Sequence, residues 1–385
     1  MADIIWSGAL APVAQKDEVT LGAVSAGTSF SLKSGSTTIT YVAVSGDVTA
    51  DVLNELVAAA GSAGREWQDI SVVNSGDTKL VCTSVVSGVP YNLVNVTNCT
   101  VTNITAATGP NHWAAGNFQG GVLPASADRA IFQNSDISLL YNLDTTLSNI
   151  LLVFDASYTG TVGLPRDNPN GYVEYRERAL IVGTPSIVIG RGTGDGSSFI
   201  YIDGDATSGT VITIYKTGAA GDETNAVALR NFADAVIMVL EGSVSLGPYE
   251  AGAMTVAELR AAGSSVIEGG ITAVVDDLFV SDSASVTLYS LTGDTVQRGG
   301  DVVVLGTGAT ANVDIYAGSF TWQSTGNVTS LDLLGESALF STSAIMNDAT
   351  TITTLVMQAG TFLDPNARAA ITNFTPPRNL VGARQ

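Results

Sequence analysis

Residues 313–324 read VDIYAGSFTWQS, residues 331–342 read LDLLGESALFST, and residues 355–366 read LVMQAGTFLDPN. In each, an apolar run leads through glycine into a second short run that carries an aromatic residue. Such a unit predicts two faces of a coil meeting at a glycine corner, one coil stacked on the next. The same grammar holds back to about residue 129. SNILLVFDAS, SFIYIDGD, AVIMVLEGSVSLG and DDLFVSDSASVTLYSLTG are short β-runs closed by Gly, Asn, Asp or Ser. Evenly spaced short strands fit either sandwich domains or a solenoid. The degenerate repeat and the absence of a sandwich-type Cys/Trp pattern favour a right-handed parallel β-helix over 129–363. At roughly 20–25 residues per coil, about ten rungs stacked about 4.8 Å apart make a rod about 50 Å long. One run, MTVAELRAAG (254–263), predicts a short helix, with Thr255 as its cap and Glu258 as the capping-box partner.

Upstream, residues 17–107 follow different rules. EVTLGAVSAGTSFSLKSGSTTITYVAV alternates around a KSGS turn and reads as a β-hairpin. In DVTADVLNELVAAAGSAG, Val52, Leu53, Leu56, Val57 and Ala60 recur at helical spacing; Asp47 or Thr49 would cap this helix, and Gly61 and Gly64 would close it. Three further strand-like runs complete a small ββαβββ-type domain in which the helix covers one antiparallel sheet. The expected fold is therefore mainly β. An N-terminal arm (1–16), an α+β anchoring domain (17–107), a linker and cap (108–128) and the β-helix (129–363) are followed by an extended C-terminal arm (364–385).

Composition narrows the function. The chain is 45% apolar and 14% charged, with a net charge of −20. That apolar content is too high for disorder. Sixteen basic residues, only four of them lysines, leave no patch for phosphates, so nucleic acid is not an expected partner. No window approaches the roughly 18 apolar residues that cross a bilayer, and no basic, apolar leader opens the chain. Synthesis in the cytoplasm and no membrane partner are expected. The sequons at Asn95, Asn98, Asn103 and Asn327 then read as strand-edge residues. Cys82 and Cys99 read as buried free thiols, with a disulfide as the alternative.

Paired carboxylates would serve general acid–base work on a glycan. The candidates are Asp276–Asp277, Glu174 in EYRER, and Asp203 with Asp205. Neighbours in a strand face opposite ways, so Asp276 and Asp277 share a site only if a corner intervenes; solvated turn carboxylates are the simpler reading. GRGTGDG is followed by no helix and lacks a repeated calcium-binding nonapeptide. His112, the only histidine, has no nucleophile elbow or second imidazole to work with. No catalytic residue, metal or cofactor is expected.

Between the two sections lies HWAAGNFQGGVLPASADRAIF (112–132). Trp113, Phe118, Pro124, Ala130 and Phe132 are spaced to plug the mouth of a solenoid, while Gly120 and Gly121 would turn the chain into its first rung. An unplugged end rung would expose unpaired backbone groups. The pattern resembles the W…NW.GG..P...D.A.F entry segment that precedes β-helical repeats in autotransporter-like passengers and tailed-phage virion proteins, with Phe118 replacing the second Trp. The preceding module is similar to small β-rich domains of such phage proteins.

The resemblance implies a structural virion protein: a capsid decoration (cement) protein or head fibre at the capsid surface, or alternatively a tail fibre or tailspike that binds or cleaves a bacterial surface glycan. The implied partners are the major capsid protein and copies of this chain as a trimer, with possible glycan or host-surface contact. Ile4, Ile5, Trp6 and Leu10 would anchor the first arm in a neighbour, an arm folded back on its own subunit being the alternative. Arg378 and Arg384 would meet an acidic partner from the second arm.

Overall fold

The computed structural model describes residues 2–144, 146–221, 225–248, 253–342 and 348–377. The fold is mainly β, 52% strand and 6% helix, with a parallel β-solenoid of about 12 turns and small antiparallel sheets near the N-terminus. No helix among the described residues is long and apolar enough to cross a membrane.

Parallel pairing runs the length of the rod, with register shifts at a few positions such as Phe154/Asp155 and Ile315/Ala317. One interior column links Ala130, Leu152, Ile187, Ile212, Ile237, Leu259, Leu278, Thr295, Val313, Leu331, Leu355 and Phe374 as successive partners. Each lower rung hides the next from water, and most of these side chains are fully buried. Phe374, at the top, has no rung above it and is 55% exposed. The repeat read from the sequence stacks in register: Phe320, Phe340 and Phe362 form a column with centroids 5.6 and 5.7 Å apart and nearly parallel planes.

Several expectations need correction. Residues 254–263 are not helical but belong to the strand Met254–Gly269, paired with Ala235–Leu246 below and Ala273–Val280 above. Good local helix formers are overridden by neighbours that supply a sheet on both sides. The rod also exceeds its expected bounds. Asp3–Ile5 pairs with Arg129–Phe132, and Ala369–Thr375 pairs with Thr350–Met357, so strands lie where two arms were expected.

The N-terminal unit has two antiparallel sheets instead of one. Lys16–Leu21 lies between Lys79–Ser84 and Cys99–Thr105, with Ile70–Ser75 outside, while Ser29–Ser34 lies between Thr37–Val42 and Leu93–Thr97. The expected hairpin is Ser29–Ser34 with Thr37–Val42, and EVTL belongs to the other sheet. Asn98, at φ +50°, ends Leu93–Thr97 and sends the chain across to the second sheet. The helix Thr49–Ala63 buries Val52, Leu53, Leu56 and Ala60 and ends at Gly64. Its cap differs from the expectation: the Asp51 carboxylate accepts the Val48 N–H at 3.0 Å, while Asp47 accepts the Val44 N–H and the Tyr41 hydroxyl. Cys82 and Cys99 are buried free thiols, and burial pushes them up to about 12 and about 11.

Candidate functional site

Four of the residues singled out in 112–132, Trp113, Phe118, Ala130 and Phe132, meet at the mouth of the rod, together with one the sequence assigned elsewhere. Trp113 and Phe118 lie edge to face at 4.8 Å. Phe132 packs 4.8 Å from Phe154 and 5.4 Å from Tyr158, and Ala130 is buried beside them. The centre of this plug is Trp6, 5.3 Å from Phe118 and 5.4 Å from Phe132, with its indole N–H donating to Ile137 O at 3.1 Å. Trp6 is 1% exposed and Ile4 8%. Both were expected as contacts to a neighbouring subunit and are instead core residues of their own chain. Ile5 is half-buried in the same strand. Leu10, also half-buried, lies so close to Gly116 that a methyl there would come within 2.6 Å of Leu10 Cδ2.

Gly120 and Gly121 adopt φ of +84° and +67° just past Phe118 and Gln119, in an exposed turn that any β-carbon would strain. Pro124 is half-buried in the connection to Arg129 and is no part of the aromatic plug. Arg378 and Arg384 lie outside the described residues.

Asn117, which sequence reasoning passed over, organises the seam. It is fully buried, its amide donates to Gly109 O and His112 O at 2.8 Å, and its side-chain oxygen accepts the Leu10 N–H at 2.8 Å. Its backbone oxygen accepts from Ser7 and Gly8. One side chain thus fixes the N-terminal strap against the linker. Only the Asn-Phe juxtaposition in GNFQGG hinted at it, because a buried Asn must satisfy all its hydrogen bonds.

Four polar contacts fasten the module to the linker and rod. His112 Nε2–H donates to Gly88 O at 2.7 Å, and burial holds the imidazole below its ordinary 6.5. Arg176, in a loop of the rod, grips Glu174 through two 2.7 Å contacts and donates to Pro90 O of the module at 3.0 Å. The rings of Tyr141 and Tyr175 lie 5.6 and 5.3 Å from its guanidinium. Asp69 of the module accepts from the Asn170 amide at 2.7 Å and from the Tyr172 hydroxyl. Burial opposes ionisation of Glu174, but its hydrogen bonds and charge pairing with Arg176 outweigh that and hold the carboxyl low. The EYRER acid is thereby engaged in a joint between the two parts of the chain.

Asp203 is likewise engaged, by Arg230 Nε at 2.6 Å and the Asn231 amide at 3.0 Å; Arg230 also reaches Glu177 and Tyr201. Asp205 is exposed and donates its own N–H to Asp203. Asp276 and Asp277 behave otherwise. Inward–outward alternation breaks between them, leaving both outside, Asp276 the more exposed. A methyl on Gly293 would lie 2.5 Å from an Asp276 oxygen and 2.6 Å from an Asp277 oxygen, so both carboxylates reach the same place. They accept from the Thr292 hydroxyl and the Asp294 N–H. No group of three or more His, Cys, Asp or Glu among the described residues is arranged to hold a metal.

The most developed constellation is therefore a joint: a plugged β-solenoid fastened to a two-sheet module by a histidine, an arginine and an aspartate, with a buried asparagine holding the N-terminal strap beside it. No protein-family model matches this sequence, and no curated protein matches it.

Proposed function

We propose that this chain is a non-enzymatic structural virion protein of a tailed bacteriophage, a decoration or cement protein on the head surface. It would be made in the host cytoplasm and bound to the major capsid protein and to copies of itself as a trimer. The observation that carries this reading is the joint. Arg176, Asp69, Pro90, His112 and Gly88 connect module and rod through several polar contacts, one of them buried, so a load on one part passes to the other. The entry segment W…GNFQGGVLPASADRAIF, similar to that of phage β-helical proteins, agrees with it. In this role the module and the plugged end face the shell while the rod projects.

The test is to strip and rebuild particles. Purified protein added back to bare heads should decorate them at hundreds of copies and raise their thermal-rupture temperature. A few tail-borne copies would assign it to a tail fibre.

One observation favours a second reading, a tailspike acting on a glycan: Asp276 and Asp277 converge beside Gly293. Turnover of host surface glycan that is lost in Asp276→Ala would establish that reading in place of the first.

A further inference from the structure

The distal rod is very unevenly charged. Between residues 231 and 367 there are fifteen acidic residues and two basic ones, Arg260 and Arg298. Although 38 residues apart in sequence, the two arginines line one surface groove of about 430 Å³, with Met238, Leu240, Phe279 and Val296 between and around them. Each guanidinium lies over an aromatic ring, Arg260 at 4.8 Å from the Phe279 centroid and Arg298 at 5.3 Å from that of Tyr316. Arg260 is exposed and carries one partner, Glu258. Arg298 is exposed and makes no ion pair among the described residues.

Beside the groove the character reverses. Val296, Asp314 and Asp332 are successive partners on adjacent rungs, with Asp294 two residues before Val296. Asp314 and Asp332 are directly opposed like charges, an arrangement that destabilises a sheet face. Burial and these neighbouring carboxylates push Asp314 upward, and no cation among the described residues reaches it. Arg298 in the groove therefore lacks an anion, and the ladder lacks a cation. Within the chain they do not meet, because Arg298 lies over Tyr316.

The geometry points to a second copy of this chain as the occupant. We infer that the groove of one rod receives the Asp294–Asp314–Asp332 ladder of the next, placing Arg260 and Arg298 on its carboxylates. The contact joins unlike patches, groove on ladder; repeated head to tail it gives a ring where the rotation closes and a filament where it does not. A sugar chain fits less well, because the ring faces on which it would stack are already covered by guanidinium groups. This inference rests on the reading above that the protein acts as an assembly of its own copies.

The experiment uses the full chain. Sedimentation equilibrium should give a multiple of the chain mass. Arg260→Glu/Arg298→Glu and, separately, Asp314→Lys/Asp332→Lys should each weaken association at least about tenfold, with circular dichroism unchanged. Combining all four changes in one chain should restore association. The inference is overturned by a wild-type chain that stays single at about 100 μM. It is equally overturned by assembly indifferent to the arginine changes, or by a four-change chain that does not recover. Binding to bare heads is scored separately: rods that assemble but do not decorate particles refute the decoration role and leave this interface standing.

Discussion

Ile4 and Ala130 are parallel strand partners, although they stand 126 positions apart with an entire folded module between them. The first turn of the rod is thus built from the two ends of a long excursion. Its closure depends on side chains, chiefly Trp6, that neighbouring sequence does not supply.

Truncating Trp6 should therefore open the rod from below. Trp6→Ala removes a fully buried indole and is expected to cost about 3–5 kcal/mol, measured by urea denaturation, with self-association increasing as the end rung is uncovered. A variant as stable as the parent would show that the plug does not need this ring.

The joint should depend on Arg176 through charge more than through packing. Arg176→Met leaves Glu174 buried without its cation, at an expected cost of about 3–5 kcal/mol. Adding Glu174→Gln should recover part of that loss. Amide exchange should rise first around residues 85–91 and 165–178.

Acid should act through Glu66. Burial pushes its carboxyl up, but hydrogen bonds from the Ser36 and Thr37 hydroxyls and the Ser36 N–H outweigh burial and hold it at about 2, against an ordinary 4.5. A carboxyl depressed in the folded state contributes stability that is complete above about pH 4.5 and is lost as pH falls towards 2. Glu66→Gln should flatten the acid limb of a stability–pH curve in that window.

His112 should act at milder pH. Its folded value lies below 6.5, so below pH 6.5 the unfolded chain binds a proton that the folded chain refuses, and stability falls as pH drops. His112→Gln, which can still donate to Gly88 O, should remove that dependence.

The interior column has one polar member whose loss should help. Thr295 Oγ1 is buried without a partner, so Thr295→Val should stabilise the rod by about 1 kcal/mol in thermal or chemical unfolding. Unchanged or lower stability would mean that the hydroxyl is satisfied in solution.

The solenoid was legible because its rungs repeat: Phe320, Phe340 and Phe362 announce the stack by recurring after each glycine corner. Residues 254–263 were misleading because AELRAA and a Thr-x-x-Glu pair satisfy every local rule for a helix, whereas the strand is imposed by partners on both sides. Asp3–Ile5 was missed for the opposite reason. Three residues carry no periodicity, and their partner lies beyond the reach of any local pattern. In the candidate site, Trp113, Phe118 and Phe132 could be read from spacing within one motif. Trp6 and Asn117 could not, since what they do is set by contacts between distant segments. The outward convergence of Asp276 and Asp277 depends on a local break in alternation that neither residue's identity reveals.

The excursion between Ile4 and Ala130 also changes what a cut in the chain would do. The module is not hung on the rod by one tether but spliced into its first turn, with one strand of attachment before it and another after it. A protease that nicks the exposed turn at Gly120–Gly121 would sever one connection only. The other would still run through Trp6 into the plug, and the two fragments would leave the denaturant-free column together.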